Sequence, residues 1–148
     1  MAENLFSEKE KRELTDAIAE AESHTSGEIR LHIERFCRED VMDHAAFIFE
    51  KLEMHKTERR NAVLFYISFE DHKLAILGDA GIHEKVGDNF WEEIKNDLVE
   101  AFKKGEYVAG LSKGLIKAGK ALSTYFPKGE DNPNELSNEI SFGKSVKK

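Results

Sequence analysis

The run Ala62-Val63-Leu64-Phe65-Tyr66-Ile67 is apolar at every position. A strand with one wet face alternates apolar and polar residues, whereas an unbroken apolar run suits a strand covered on both faces. It is far shorter than the roughly 20 apolar residues that cross a bilayer as a helix. The chain must therefore supply cover for both sides of this strand.

Upstream, Ser7-x-x-Glu10 has the form of a capping box, in which each side chain satisfies an orphan backbone donor at a helix start. Leu14, Ile18 and Ala21 then recur at helical spacing until Ser26-Gly27, which predicts a helix over about Ser7 to Ser23. From Glu28 the period becomes two, with Ile29, Leu31 and Ile33 facing one way and Arg30, His32 and Glu34 the other, as in a strand. Asp40 opens a second helix whose Val41, Ala45, Ile48, Phe49 and Leu52 share a face. Strand, helix and apolar run make a crossover unit, so the first two strands are expected parallel with a right-handed connection.

Lys73 to Leu77 follows after only Ser68 to His72, too short for another crossover, and predicts an antiparallel third strand ended by Gly78-Asp79-Ala80-Gly81. Asp88 is expected to open a third helix carrying Phe90, Trp91, Ile94, Leu98 and Phe102, closed at Gly105. A fourth, over about Tyr107 to Tyr125, aligns Leu111, Leu115, Ala118 and Leu122 and stops at Phe126-Pro127. From Lys128 the chain is rich in Asn, Ser and charge and lacks periodicity. The expected organisation is one α/β domain over 6–127 followed by an irregular arm over 128–148.

The formal net charge is -7, and the charges of the arm cancel, so the acidic excess belongs to the folded part. Nucleic acid and anionic membranes are repelled at long range by such a surface, while cations are attracted. Cys37 is the single cysteine, which excludes an intramolecular disulfide and a thiolate zinc cage. Met1 to Phe6 leads into the charged run Ser7 to Arg12, where a signal peptide would continue apolar. A soluble, cytoplasmic protein is the expectation.

Strand order gives the polar residues an address. The entries of strands one and two and the exit of antiparallel strand three share one sheet edge, which collects Glu28, Thr57, Asn61, Asp79, Glu84 and Asp88. Such oxygen donors suit a hard divalent cation, calcium or magnesium, and Glu28, Asp79, Glu84 and Asp88 are the candidate ligands. Each has a plainer reading: Asp88 as a helix cap, Asp79 as a turn residue, Glu28 and Glu84 as solvated charge. Arg59 and Arg60 lie on the same edge, where their forks could clamp a phosphoryl group, although a solvated basic pair or an ion pair with the nearby carboxylates is the plainer reading. Asp79 is the candidate for orienting water, and no nucleophile is assignable.

Other motifs carry less. Gly114-x4-Gly119-Lys120-Ala121 nearly matches a phosphate-binding loop, but it has Ala where magnesium needs Ser or Thr, and it lies within a helical pattern. Its glycines, with Gly110, suit close helix packing. Cys37, flanked by Arg35 and Arg38, reads as a passive thiol at a strand end. The histidines at 24, 32, 44, 55, 72 and 83 show no ligand spacing, and only His83 falls on the acidic edge. No nucleophile elbow or Ser-His-Asp motif is present.

Thr25-Ser-Gly-Glu-Ile29, Arg60-Asn-Ala-Val-Leu64, Gly78-Asp-Ala-Gly-Ile82 with Asp88 downstream, and Phe102-Lys-Lys-Gly-Glu-Tyr107, in that order, resemble the TPM domain family over about Phe6 to Phe126. That family includes a thylakoid-lumen protein linked to photosystem II repair and many bacterial proteins. The resemblance implies a three-layer α/β/α sandwich with a small Rossmann-like mixed sheet, a divalent-cation site at an acidic cleft, and, for some members, weak acid phosphatase activity. It carries a metal role onto Asp88 and the Gly78-to-Gly81 turn. Many relatives have a signal peptide and a membrane helix, and neither is read here. The expected function is calcium or magnesium binding in a regulatory or interaction role. The alternative is metal-assisted hydrolysis of phosphomonoesters, with a phosphorylated small molecule or protein as partner. A third reading has Leu136, Ile140 and Phe142 docking elsewhere or packing back on the domain.

Overall fold

The computed structural model describes residues 5–87, 89–129 and 137–143. Helix α1, Glu8–Glu22, opens on the predicted capping box: the Ser7 amide donates to Glu10 at 2.8 Å and the Glu10 amide to Ser7 at 3.1 Å. Strand β1 is Glu28–Glu34 and helix α2 is Val41–Lys51, capped by Asp40, whose side chain accepts from the Asp43 amide. Strand β2, Ala62–Ser68, is buried at every position, as its composition demands. It lies parallel to β1 from Glu28 opposite Ala62 to Glu34 opposite Ser68. Strand β3, Lys73–Gly78, returns antiparallel on its other side.

Cover comes from both sides. Ala45, Ile48 and Phe49 of α2 pack with Leu64, Tyr66 and Ala75 on one face. On the other face, α1, helix α4 (Glu92–Lys103) and helix α5 (Tyr107–Ser123) set Leu14, Ile18, Leu98, Leu111 and Leu115 against Ile29, Leu31, Val63 and Phe65. The result is the expected three-layer α/β/α sandwich. The glycines of α5 allow close packing: a Cβ on Gly110 would lie 2.5 Å from Ala101 Cβ, and one on Gly119 would collide with the Ala21 carbonyl.

Three features differ from expectation. The Gly78-to-Gly81 segment ends β3 but also starts a short helix, α3, Ala80–Val86, capped by Asp79. The next helix begins at Glu92, with Phe90 and Trp91 in the preceding turn and packed on the core; Asp88 lies outside the described residues. The arm is not wholly irregular. Ser141–Phe142 forms strand β4, which pairs parallel with β1 and completes the sheet order β3-β2-β1-β4. Ile140 and Phe142 pack back on the core, while Leu136 lies outside the described residues. So short a strand has no period of its own, and its conformation comes from the edge of β1 that it joins.

Candidate functional site

The entries of β1 and β2 and the exit of β3 do share one edge. Backbone bonds tie them together: Glu28 N–H to Asn61 O at 3.3 Å, Asp79 N–H to Ala62 O at 2.9 Å, and Gly81 N–H to Arg60 O at 2.9 Å. Gly81 sits so close to the loop before β2 that any Cβ would strike the Arg59 and Arg60 carbonyl oxygens. This approach fixes α3 against the loop. Thr57 anchors the loop by accepting the Asn61 amide at 3.2 Å, and the Asn61 side chain donates to Ser26 at 3.4 Å.

Asp79 is buried, and both of its carboxylate oxygens are engaged. Oδ2 accepts from Arg60 Nε at 2.7 Å, while Oδ1 accepts from Arg60 Nη2 at 2.8 Å and from the Ala80 amide at 2.7 Å. This is the bidentate pairing that gives an arginine–carboxylate contact its geometric specificity. Arg60 has φ 51°, the left-handed region, and its side chain is 51% exposed. Hydrogen bonding to Asp79, reinforced by its charge, holds the guanidinium above its ordinary pKa. Arg59 is exposed and reaches Ser26 at 3.4 Å.

Glu28 is buried at the same edge, whereas Glu84 and His83 are exposed on α3. Among the described residues, no three His, Cys, Asp or Glu side chains converge to hold a metal ion. The donor types at the edge, carboxylate, amide and hydroxyl, fit a hard cation. What stands against Asp79 is the Arg60 guanidinium, an internal cation.

Glu22, the last residue of α1, was not among the expected site residues. It is 7% exposed, close to Glu28, and its Oε2 accepts the Ile29 amide at 2.7 Å. Burial, together with the Glu28 charge, pushes its pKa up to about 7 against the opposing Ile29 bond and Lys128 charge. The signal was available, because Glu22 follows Ile18 by one helical turn on the apolar face of α1. Cys37 is buried, with its thiol on the Glu39 carbonyl at 3.4 Å, in keeping with a passive role.

A family model for the TPM domain, named TPM phosphatase, matches residues 1–121. The chain is similar to the BA42 protein of the psychrophilic bacterium Bizionia argentinensis, solved by NMR. They share 42% identity over 94% of this chain and 96% of that one, with a TM-score of 0.89. The N-terminal domain of a P. gingivalis protein shares the fold at 14% identity and TM-score 0.67, over 82% of this chain and 79% of that one. No curated protein matches the sequence. Among the described residues, no helix is long and apolar enough to cross a membrane.

Proposed function

The chain belongs to the TPM domain family, and from that premise we propose that it binds calcium or magnesium at the edge formed by β1, β2 and α3, in a regulatory or interaction role. Asp79 is the anchoring ligand, and Arg60 is the counter-ion that the metal displaces. The observation that carries this reading is the pairing of a buried carboxylate with a half-exposed guanidinium. Arg60 can swing into water at modest cost, while Asp79 stays in place and requires another positive charge. Glu28, Asn61 and Thr57 line the same edge as further oxygen donors, and Asp88 and Glu84 complete the candidate set. The reading includes a cytoplasmic setting.

Titration of the full chain with calcium or magnesium, followed by amide chemical shifts, tests it. Shifts are expected at Arg60, Asp79, Gly81 and Glu84, and they should vanish in Asp79→Asn. Absence of any response along this edge would overturn the reading.

A second reading, metal-assisted phosphomonoester hydrolysis, is favoured by the two exposed guanidinium groups of Arg59 and Arg60, which match phosphoryl oxygens in geometry. It requires metal-dependent turnover of an aryl phosphate that Asp79→Asn abolishes with the fold intact.

A further inference from the structure

The polar face of β1 is not solvated. Arg30, His32 and Glu34 point to the side of the sheet covered by α2, and there His32 is 3% and Glu34 7% exposed. Glu34 Oε1 accepts from the Tyr66 hydroxyl at 2.5 Å and lies 2.8 Å from His44 Nε2. Its other oxygen, Oε2, lies 3.2 Å from the buried His32 Nε2, at ion-pair distance though outside hydrogen-bond geometry. The opposite nitrogen of that ring, His32 Nδ1, is 2.8 Å from the hydroxyl of Ser141 on β4. Ser141 of β4 and the same-face pair His32 and Glu34 of β1 thus stand in the order hydroxyl, imidazole, carboxylate.

The surroundings bias the proton positions. Burial alone would raise the Glu34 pKa, but the His32 and Tyr66 side chains and the nearby His44 outweigh it, so the carboxyl is held below its ordinary range and stays ionised. An ionised Glu34 only accepts, which favours the tautomer with the hydrogen on His32 Nε2 and leaves the Nδ1 lone pair for the Ser141 O–H. Glu34 is itself held by Tyr66, whose ring stacks on His32 with centroids 5.8 Å apart. Gly143 closes the far side, for a Cβ there would strike Glu34 Oε2. Ser141 sits on the edge strand and is partly exposed, while its base is buried beneath it. Arg30, one same-face position before His32, reaches the Glu139 carbonyl at 3.5 Å and has a buried Nε without a hydrogen-bond partner.

We propose that Ser141, His32 and Glu34 form a nucleophilic site that transfers acyl groups from small activated esters to water. Ser141 Oγ bonds to the ester carbonyl carbon as its proton passes to His32 Nδ1. The tetrahedral oxyanion then collapses, the bond to the leaving alkoxide or phenoxide breaks, and His32 returns the proton to it. Water attacks the acyl-Ser141 by the same route, giving the carboxylic acid and free serine. Glu34 is a positioning residue, acting through His32. This site lies apart from the Asp79 edge and does not rest on the cation reading.

The test treats the full chain with an alkyl fluorophosphonate and maps the adduct by mass spectrometry. A single phosphonyl group on Ser141 is expected, absent in Ser141→Ala. His32→Gln should slow labelling by about 100-fold, the lower range for loss of a general base. The labelling rate should rise with pH through one ionisation in the wild type, and this rise should disappear in His32→Gln. Ser141→Ala removes only an edge hydroxyl, so amide spectra are expected to show its fold intact and keep the control valid. No adduct, an adduct elsewhere, or labelling of Ser141 at an unchanged rate in His32→Gln would overturn the proposal.

Discussion

The side chain of Glu22 accepts the amide hydrogen of Ile29 at 2.7 Å, bridging the end of α1 to the start of β1 inside the protein. A carboxyl held there with a pKa of about 7, against 4.5 in a free chain, binds its proton more tightly when folded. Between those values the native state carries a proton that the unfolded state has lost, so stability falls as pH rises from about 4.5 to 7. The shift corresponds to a loss on the order of 3 kcal/mol. Gln at 22 can still accept from Ile29 and has no charge to desolvate. Urea unfolding of Glu22→Gln should therefore show a gain over wild type at pH 8 and little change at pH 4.5. An equal effect at both values would refute the raised pKa.

Replacing Arg60 should make stability depend on metal. Arg60→Gln leaves buried Asp79 without its bidentate partner, and the uncompensated carboxylate destabilises the fold. If calcium takes the guanidinium's place, added calcium should raise the melting temperature of Arg60→Gln more than that of wild type. Differential scanning calorimetry with calcium and with chelator makes the comparison.

Two glycine substitutions should separate packing from backbone strain. Gly119 lies in α5 with its Cα against the Ala21 backbone, so Gly119→Ala drives the two helices apart, an overpacking cost of about 1–3 kcal/mol. Gly105 has φ 75° and open space around it, so Gly105→Ala incurs only the left-handed conformation, about 1 kcal/mol. Chemical denaturation should rank Gly119→Ala as the more destabilising. The reverse order would mean that α1 and α5 can separate freely.

How much of this was legible follows from where the information lies. The Ala62 to Ile67 run, the Ser7 to Glu10 box and the alternation of β1 are local patterns, and each yields its element close to its observed bounds. The shared edge also followed from connection lengths alone. Sequence offered an ion pair of Arg59 or Arg60 with the edge carboxylates, but not which arginine meets which carboxylate. Asp79 and Arg60 are separated by a whole hairpin, and only the left-handed turn at Arg60 brings the fork onto the carboxylate. Helix α3 was hidden because Gly78 and Gly81 look like turn residues, although Gly81 is required by contact with the preceding loop. Likewise β4, and with it the contact of Ser141 to His32, depends on the edge of β1 as template.

The acid side of the stability curve should be governed by Glu34 and Tyr66. Burial opposes ionisation of Glu34, yet its donors and the nearby histidines lower its pKa below that of a free carboxyl. This stabilisation is fully present above about pH 4.5 and is lost as pH falls through the lower folded value, because there the unfolded chain binds the proton first. The Tyr66 hydroxyl, itself pushed upward by burial and by Glu34, donates at 2.5 Å and supplies part of the lowering. In Tyr66→Phe the carboxylate loses one donor while the ring remains in the core, at a cost of about 1.5–3 kcal/mol for a hydrogen bond to a charged group. Glu34 should then titrate closer to its ordinary value. Stability measured by urea from pH 6 to pH 3 should fall less steeply in the variant than in the wild type, from a lower starting point. Parallel curves would show that Tyr66 contributes nothing to holding Glu34 ionised.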